Sequence, residues 1–248
     1  MSELELQGRT ALITGAAGPM GFAAARALTE AGCRIAMVDL DGERLRDTTR
    51  QIAGAVSFGT DLSAIGEMSA LVTRIEALMG SVSILVNNAG VLSNTKSQTT
   101  DQSEWRRVLG INLDAAFFLA RAVIPSMKLM RWGRIINTTS LAAKTGGLTA
   151  GTAYATSKGA LSAMTFSLAR ELAADGITVN GIAPAYVRTP MVTEGLTDAQ
   201  RTALLATIPV GRFCEPEEFA HVVRFLAAPL AGFITGEIID INGGLLMD

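Results

Sequence analysis

Tyr154 and Lys158 stand four residues apart in a segment, 152–174, whose pattern reads as a helix, so both side chains project from one helical face. A tyrosine hydroxyl with an ordinary pKa of about 10 is a poor proton donor or acceptor near neutrality, and a neighbouring ammonium lowers that pKa by favouring the phenolate. The pair reads as an acid/base unit in which Tyr154 moves a proton and Lys158 tunes it. Tyr and Lys also meet at this spacing on solvated helix faces with no chemistry attached. The reading therefore depends on the elements that hold the pair.

Those elements alternate along the whole chain. Short apolar runs at 10–13, 34–38, 55–58, 84–86, 133–138, 178–182 and 237–241 read as strands. Helix-period segments at 20–31, 42–52, 64–79, 101–130, 152–174 and 216–228 lie between them, with Asp41, Asp61 or Ser63, and Asp101 as N-caps. The pattern predicts an α/β fold, a doubly wound parallel sheet of seven strands with helices on both faces. No low-complexity linker and no internal repeat interrupts it, so 1–248 reads as a single domain. The segment 189–212 differs, being polar, helical in pattern and flanked by Pro190 and Pro209, which suits a flap over a site.

After the first strand the chain reads Thr14-Gly15-Ala16-Ala17-Gly18-Pro19-Met20-Gly21 and enters a helix. Small residues at such a turn let a pyrophosphate approach backbone N–H groups at the positive end of the helix, although they also serve plain packing. Asp39 ends the second strand, 24 residues after Gly15, where an acid accepts hydrogen bonds from an adenosine ribose 2′-OH. The same carboxylate would face the 2′-phosphate of NADP at a cost of several kcal/mol, so NAD is the expected cofactor and NADP the less favoured one.

The remaining composition narrows the function further. A formal net charge of −2 with both signs scattered provides no basic stripe for nucleic acid and no polybasic patch for a membrane. Mean hydropathy is positive, yet Gly, Pro, Thr or a charge interrupts every apolar span of about 20 residues. Residues 1–8 lack the basic and apolar regions of a secretory signal, and a cytoplasmic location is expected. Cys33 and Cys214 have no CxxC spacing, and His221 is the single histidine, so neither a structural disulfide nor a zinc site is expected. A Ser-His-Asp hydrolase would need His221 as its base.

Taken in order, the glycine turn, Asp61-Leu62, Asn87-Asn88-Ala89-Gly90, Asn112, Ser140, Tyr154-x-x-x-Lys158, Pro184 through Thr189, Ile234-Thr235-Gly236 and Asn242-Gly243-Gly244 resemble the motifs of the short-chain dehydrogenase/reductase family over nearly all of residues 6–246. The resemblance implies a Rossmann-like fold and hydride transfer between an alcohol carbon and nicotinamide, coupled to proton transfer through Tyr154. It implies that Lys158 lowers the Tyr154 pKa and holds the nicotinamide ribose, that Ser140 binds the substrate oxygen, and that Asn112 anchors a water relay leading from Lys158. Gly15, Gly18, Met20 and Gly21 would meet the pyrophosphate, Asp61 and Leu62 would flank adenine, and Asn88, Ala89 and Gly90 would line the cleft. Pro184, Val187 and Thr189 would meet the nicotinamide side. Leu141, Ala142, Leu148, Tyr186 and Met191 would touch substrate together with Ser140 and Tyr154.

Three positions depart from the family pattern. Pro19 stands where a glycine is usual and removes an N–H, although proline suits the first position of a helix. Ala185 replaces a glycine, which costs little if its φ is negative. The separation of Ser140 from Tyr154 is one residue longer than usual, in a loop carrying Gly146, Gly147 and Gly151. The apolar substrate positions favour a neutral secondary alcohol, polyol or ketone, unless Lys144 or Arg188 points inward. Residues 204–247 resemble the 3-oxoacyl carrier-protein reductase branch, which mostly uses NADPH, so that similarity and Asp39 pull apart. An NADPH-dependent ketone reductase is the alternative, and a weakly catalytic cofactor-binding scaffold a third. The family also implies a homotetramer packed through 101–130, 152–174 and the last strand.

Overall fold

The computed structural model describes residues 4–147, 149–190 and 197–247. Seven short runs form one parallel sheet: β1 (Thr10–Thr14), β2 (Arg34–Asp39), β3 (Val56–Gly59), β4 (Val82–Asn87), β5 (Gly133–Thr138), β6 (Ile177–Pro184) and β7 (Ile238–Ile241). Their order is β3-β2-β1-β4-β5-β6-β7. Every residue of β1, β4, β5 and β6 is buried, as strands covered on both faces must be. The chain winds outward from β1 to β3 and then returns to build β4 on the other side. Strand order reverses between β1 and β4, which opens a crevice beyond their carboxyl ends.

Nine helices cover the sheet: α1 (Pro19–Glu30), α2 (Glu43–Arg50), α3 (Met68–Met79), α4 (Gln102–Leu109), α5 (Ala115–Met130), the short α6 (Ala142–Thr145), α7 (Thr152–Leu172), α8 (Asp198–Thr207) and α9 (Pro216–Ala227), counted among the described residues. Successive strand residues face opposite layers. Ile13 and Met37 pack with Leu28 of α1 and Phe219 and Val223 of α9. Leu12 and Leu85 pack with Ile75 of α3, Leu119 of α5 and Leu168 of α7.

The expected elements all form, with shifted ends and three local differences. The 101–130 helix begins as expected, with the Asp101 side chain accepting from Glu104 N at 2.8 Å, but a π turn, Gly110–Asp114, interrupts it. Inserting one residue into a helical turn rotates the rest of the helix, and such turns mark functional positions in many helices; here it contains Asn112. Asp41 does not cap α2: Gly42 occupies that place, and Asp41 pairs with Arg46 at 3.1 Å. Asp61 Oδ1 accepts from Ser63 N at 2.9 Å ahead of a 3-10 turn, Ile65–Glu67, which precedes α3.

By length and composition, Gln102–Met130 is apolar enough to cross a membrane. Leu119, Ala120, Val123 and Met127 of α5 instead fill the core. The helix that carries Tyr154 and Lys158 is tied to the sheet by a buried polar ladder. Asn87 Nδ2 donates to Asn137 Oδ1 at 2.9 Å, and Asn137 Nδ2 donates to Thr165 Oγ1 of α7 at 2.9 Å. Side-chain amides unable to reach water must find partners, and this ladder fixes how α7 sits over β4 and β5.

Candidate active site

Ser140 follows β5 and Tyr154 opens the first turn of α7. Ser140 Oγ accepts from Ala142 N at 3.1 Å and is hydrogen-bonded to the Tyr154 hydroxyl. One turn on, Lys158 is 3% exposed, with Nζ donating to Thr138 O at 2.7 Å and lying 5.8 Å from the Tyr154 ring centre. Burial pushes the Lys158 ammonium down to about 8. It also pushes the Tyr154 hydroxyl above its ordinary value, with the Ser140 hydrogen bond acting the other way. For Tyr154 desolvation of the phenolate is the largest effect, so the net direction is upward even with an ammonium one turn away.

Asn112 is held by the chain on three sides. Its Oδ1 accepts from Val91 N at 2.8 Å, and its Nδ2 donates to Val91 O at 3.1 Å and to Ser157 Oγ at 3.0 Å. Ser157 in turn donates to Tyr154 O at 2.7 Å. Asn112 Oδ1 and Lys158 Nζ converge beside Gly90, where a Cβ would lie 3.3 Å and 3.4 Å from them. The four polar side chains therefore come together at one end of β4 and β5, built from α7, the π turn and the loop after β5.

Beside them lies a cavity of about 420 Å³ over the β1/β4 crevice. Its floor is the turn: Gly15, Gly18, Met20 and Gly21 line it, together with Pro19. Gly15 has φ +64°, and a Cβ at Gly21 would run into Gly15 O, so the tight turn needs glycine at both places. Pro19 is the first residue of α1, where no intrahelical N–H is needed. The far wall carries Asp39, Asp61 and Leu62, and the near wall Asn88, Ala89, Gly90 and Thr189. Asp39 Oδ2 accepts from Ala17 N at 2.9 Å and Oδ1 from Leu40 N at 2.8 Å, so the carboxylate is fixed on the wall of the cavity.

Several expected residues fall elsewhere. Pro184 and Val187 are buried and do not line the cavity: Pro184 O accepts from Leu141 N at 3.0 Å, and Val187 pairs with Cys214. Tyr186 lines a separate cavity of about 220 Å³ with Ala185, Cys214 and Asn242. Ala185 has no positive φ, which removes the backbone objection to its methyl group. Leu148 and Met191 lie outside the described residues. Lys144 pairs with Asp240 at 2.5 Å and Arg188 with Glu215 at 2.8 Å, so the two cations considered for an anionic substrate are engaged with carboxylates. Burial raises the Cys33 thiol to about 12 and the Cys214 thiol to about 11, which keeps both protonated.

Sequence reasoning missed other participants. Thr14 Oγ1 accepts from Asn88 N and Ala89 N, both at 3.0 Å, locking the near wall to β1. Arg44 also lines the cavity and donates from Nε to Ala17 O at 3.1 Å, so Asp39 and Arg44 bracket one residue of the turn. Arg44 reads on the chain as an ordinary exposed helix residue, and only the fold brings it to the turn.

A doubly wound sheet with a glycine turn, a fixed acid after β2 and a Ser-Tyr-Lys-Asn cluster at its crevice defines a nicotinamide-dependent oxidoreductase acting on CH–OH groups. The family described as enoyl-(acyl carrier protein) reductase matches residues 15–246, and the chain belongs to the short-chain dehydrogenase/reductase family. It is 36% identical over 248 residues to the 3-oxoacyl-[acyl-carrier-protein] reductase FabG of Aquifex aeolicus, covering 98% of this chain and 99% of that protein. The FabG of Vibrio cholerae is 39% identical over 247 residues, covering 98% and 100%. A solved structure from Beutenbergia cavernae, assigned as an NAD(P) dependent gluconate 5-dehydrogenase and containing NADP at low occupancy, superimposes with a TM-score of 0.92 at 32% identity, covering 98% of this chain and 99% of that one.

Proposed function

We propose that this protein is an NAD-dependent dehydrogenase that interconverts a neutral secondary alcohol or polyol with its ketone, using Tyr154 as general acid/base. Asp39 carries the proposal. A carboxylate fixed at the end of β2 accepts from an adenosine ribose 2′-OH and repels a 2′-phosphate. The cradle fits a dinucleotide: the Gly15–Gly21 turn leaves room at its floor, and the first turn of α1 has N–H groups, those of Met20 and Gly21, with no intrahelical acceptor. Asp61 and Leu62 are assigned to adenine, Asn88, Ala89 and Gly90 to the cleft wall, Thr189 to the nicotinamide end, and Lys158 with Tyr154 to its ribose.

When bound, the nicotinamide supplies the hydride acceptor for oxidation or the donor for reduction. Tyr154 takes the proton of the alcohol O–H during oxidation and returns it to the carbonyl oxygen during reduction. Ser140 hydrogen-bonds that oxygen and orients it toward Tyr154. Lys158, as the ammonium, stabilises the Tyr154 phenolate that forms when the proton leaves, and Asn112 holds the loop at Val91 against α7 through Ser157.

The engaged state of Lys144 and Arg188 supports a neutral substrate over an acid. We further infer a cytoplasmic homotetramer, and a monomeric mass by light scattering would remove the assembly. One second reading has its own support, an NADPH-dependent 3-oxoacyl or other ketone reductase: the named relatives are 3-oxoacyl reductases, and the Arg44 guanidinium shares the cavity with Asp39. Calorimetric titration of nucleotide-free protein with NADH and NADPH separates the two. Tight NADH and weak NADPH, followed by NAD reduction with a secondary alcohol or polyol, is the expected outcome. The reverse preference replaces it with the reductase, and binding of neither favours the scaffold.

A further inference from the structure

Ahead of the tyrosine, two loops are joined by contacts that the cofactor and proton-transfer groups do not account for. Lys96, in the loop after β4, donates from Nζ to Ala150 O at 2.9 Å and to Thr149 O at 3.3 Å, just before α7. Gly151 N donates to Ser93 O at 2.7 Å. A Cβ at Gly151 would collide with Thr95 O, so the two backbones touch directly. Lys96 is itself anchored, its carbonyl accepting from Thr99 N at 2.9 Å and from Thr100 N and Thr100 Oγ1 at 3.0 Å. The same loop lines the cofactor cavity at Asn88 to Val91 and is held by Asn112 at Val91. One continuous strap thus runs from the cavity wall to the residues that lead into Tyr154.

We propose that Lys96 is a positioning residue that latches residues 149–151 across the substrate side of the site and so fixes the approach of substrate to Ser140 and Tyr154. Lysine has three donors and no acceptor, and its charge-assisted bonds are stronger than neutral ones. Two of those donors reach carbonyls that precede the helix and accept no helical bond. Upstream, Gly146 and Gly147 have φ of +74° and +84° and lend that segment the freedom of glycine. Without the latch, substrate binding must order the segment, and that ordering weakens binding. Neither Lys96 nor residues 149–151 line the cofactor cavity, so nucleotide affinity is expected to be independent of Lys96. The inference rests on the oxidoreductase reading above.

Lys96→Met and Lys96→Arg in the full chain test it, with wild type alongside. The expected result for Lys96→Met is faster amide hydrogen exchange across residues 149–153, a substrate KM raised about ten-fold with kcat changed less than about three-fold, and an unchanged dissociation constant for nucleotide. Lys96→Arg, which keeps a charged donor, is expected to return KM to within about three-fold of wild type. Equal KM in Lys96→Met and wild type, or a raised KM that Lys96→Arg does not restore, overturns the latch. If wild type turns over no alcohol or ketone, the oxidoreductase reading fails, and hydrogen exchange then decides the latch alone: unchanged protection of residues 149–153 overturns it.

Discussion

Replacing Lys158 by methionine should make the protein more stable near neutrality while removing its activity. Lys158 is buried, and its ammonium is pushed down from 10.5 to about 8 by loss of solvent. At 1.36 kcal/mol per unit, keeping it charged inside the fold costs about 3 kcal/mol. The folded protein holds this proton less tightly than the unfolded chain does. Between pH 8 and 10.5 the unfolded chain still binds the proton and the folded protein has released it, so stability rises with pH through that window. Below 8 the full cost is present, and above 10.5 it is gone. Methionine is one heavy atom shorter, removes the charge and gives up the charge-assisted bond to Thr138 O, worth about 1.5–3 kcal/mol. Lys158→Met is therefore expected to exceed wild type by about 1 kcal/mol at pH 7 in urea unfolding, with the gap closing or reversing at about pH 10. Other titrating groups are common to both proteins and cancel. A variant less stable than wild type at pH 7, or a gap that does not change with pH, would refute the argument that burial governs this lysine.

Asp39→Ala removes both the proposed ribose acceptor and the partner of Ala17 N; the ratio of NADH to NADPH affinity, read by calorimetry, should move at least about ten-fold toward NADPH, and an unchanged ratio would show that the adenosine ribose lies elsewhere. Gly21→Ala forces a methyl group against Gly15 O, which should cost about 1–3 kcal/mol in urea unfolding and weaken nucleotide binding more than ten-fold; near-wild-type values for both would mean that the turn yields freely. Because burial raises the Tyr154 pKa, the phenolate is scarce at neutrality, so initial rates of alcohol oxidation should keep climbing from about pH 6 to about pH 9, while ketone reduction, which uses the protonated tyrosine, should stay flat over the same range. An oxidation profile flat over that range would remove Tyr154 as the proton acceptor.

Most of the fold is legible because each strand and helix declares itself locally. The run at β1 is apolar at its three central positions, and the amphipathic α9 starts with Pro216 at its first turn. The features that escape a local reading depend on residues distant along the chain. The π turn at Asn112 is one extra residue in a continuous helical pattern, and periodicity over 101–130 cannot reveal it. Asp41 is a reasonable cap by type, yet Gly42 takes the place once Asp41 meets Arg46. Thr14 looks like the start of a glycine turn, and its hydroxyl becomes the bolt between β1 and the wall after β4 only when the strands lie side by side.

The electrostatics of the Tyr-Lys pair depart from expectation for the same reason. Reasoning from the helix face places the two groups in a solvent-like setting, where a cation next to a phenol lowers its pKa. Folding instead buries Lys158 and partly buries Tyr154, and loss of solvent disfavours the charged form of each, raising Tyr154 and lowering Lys158. In the protein without nucleotide the resting pair is a protonated tyrosine beside a lysine that retains its charge below about 8. In the proposed mechanism the ammonium acts on the phenolate as the proton leaves, and Ser140 is hydrogen-bonded to the same oxygen. The site is therefore costly to the fold at rest and tuned to the charge that develops during proton transfer, which is where electrostatic preorganisation accelerates a reaction.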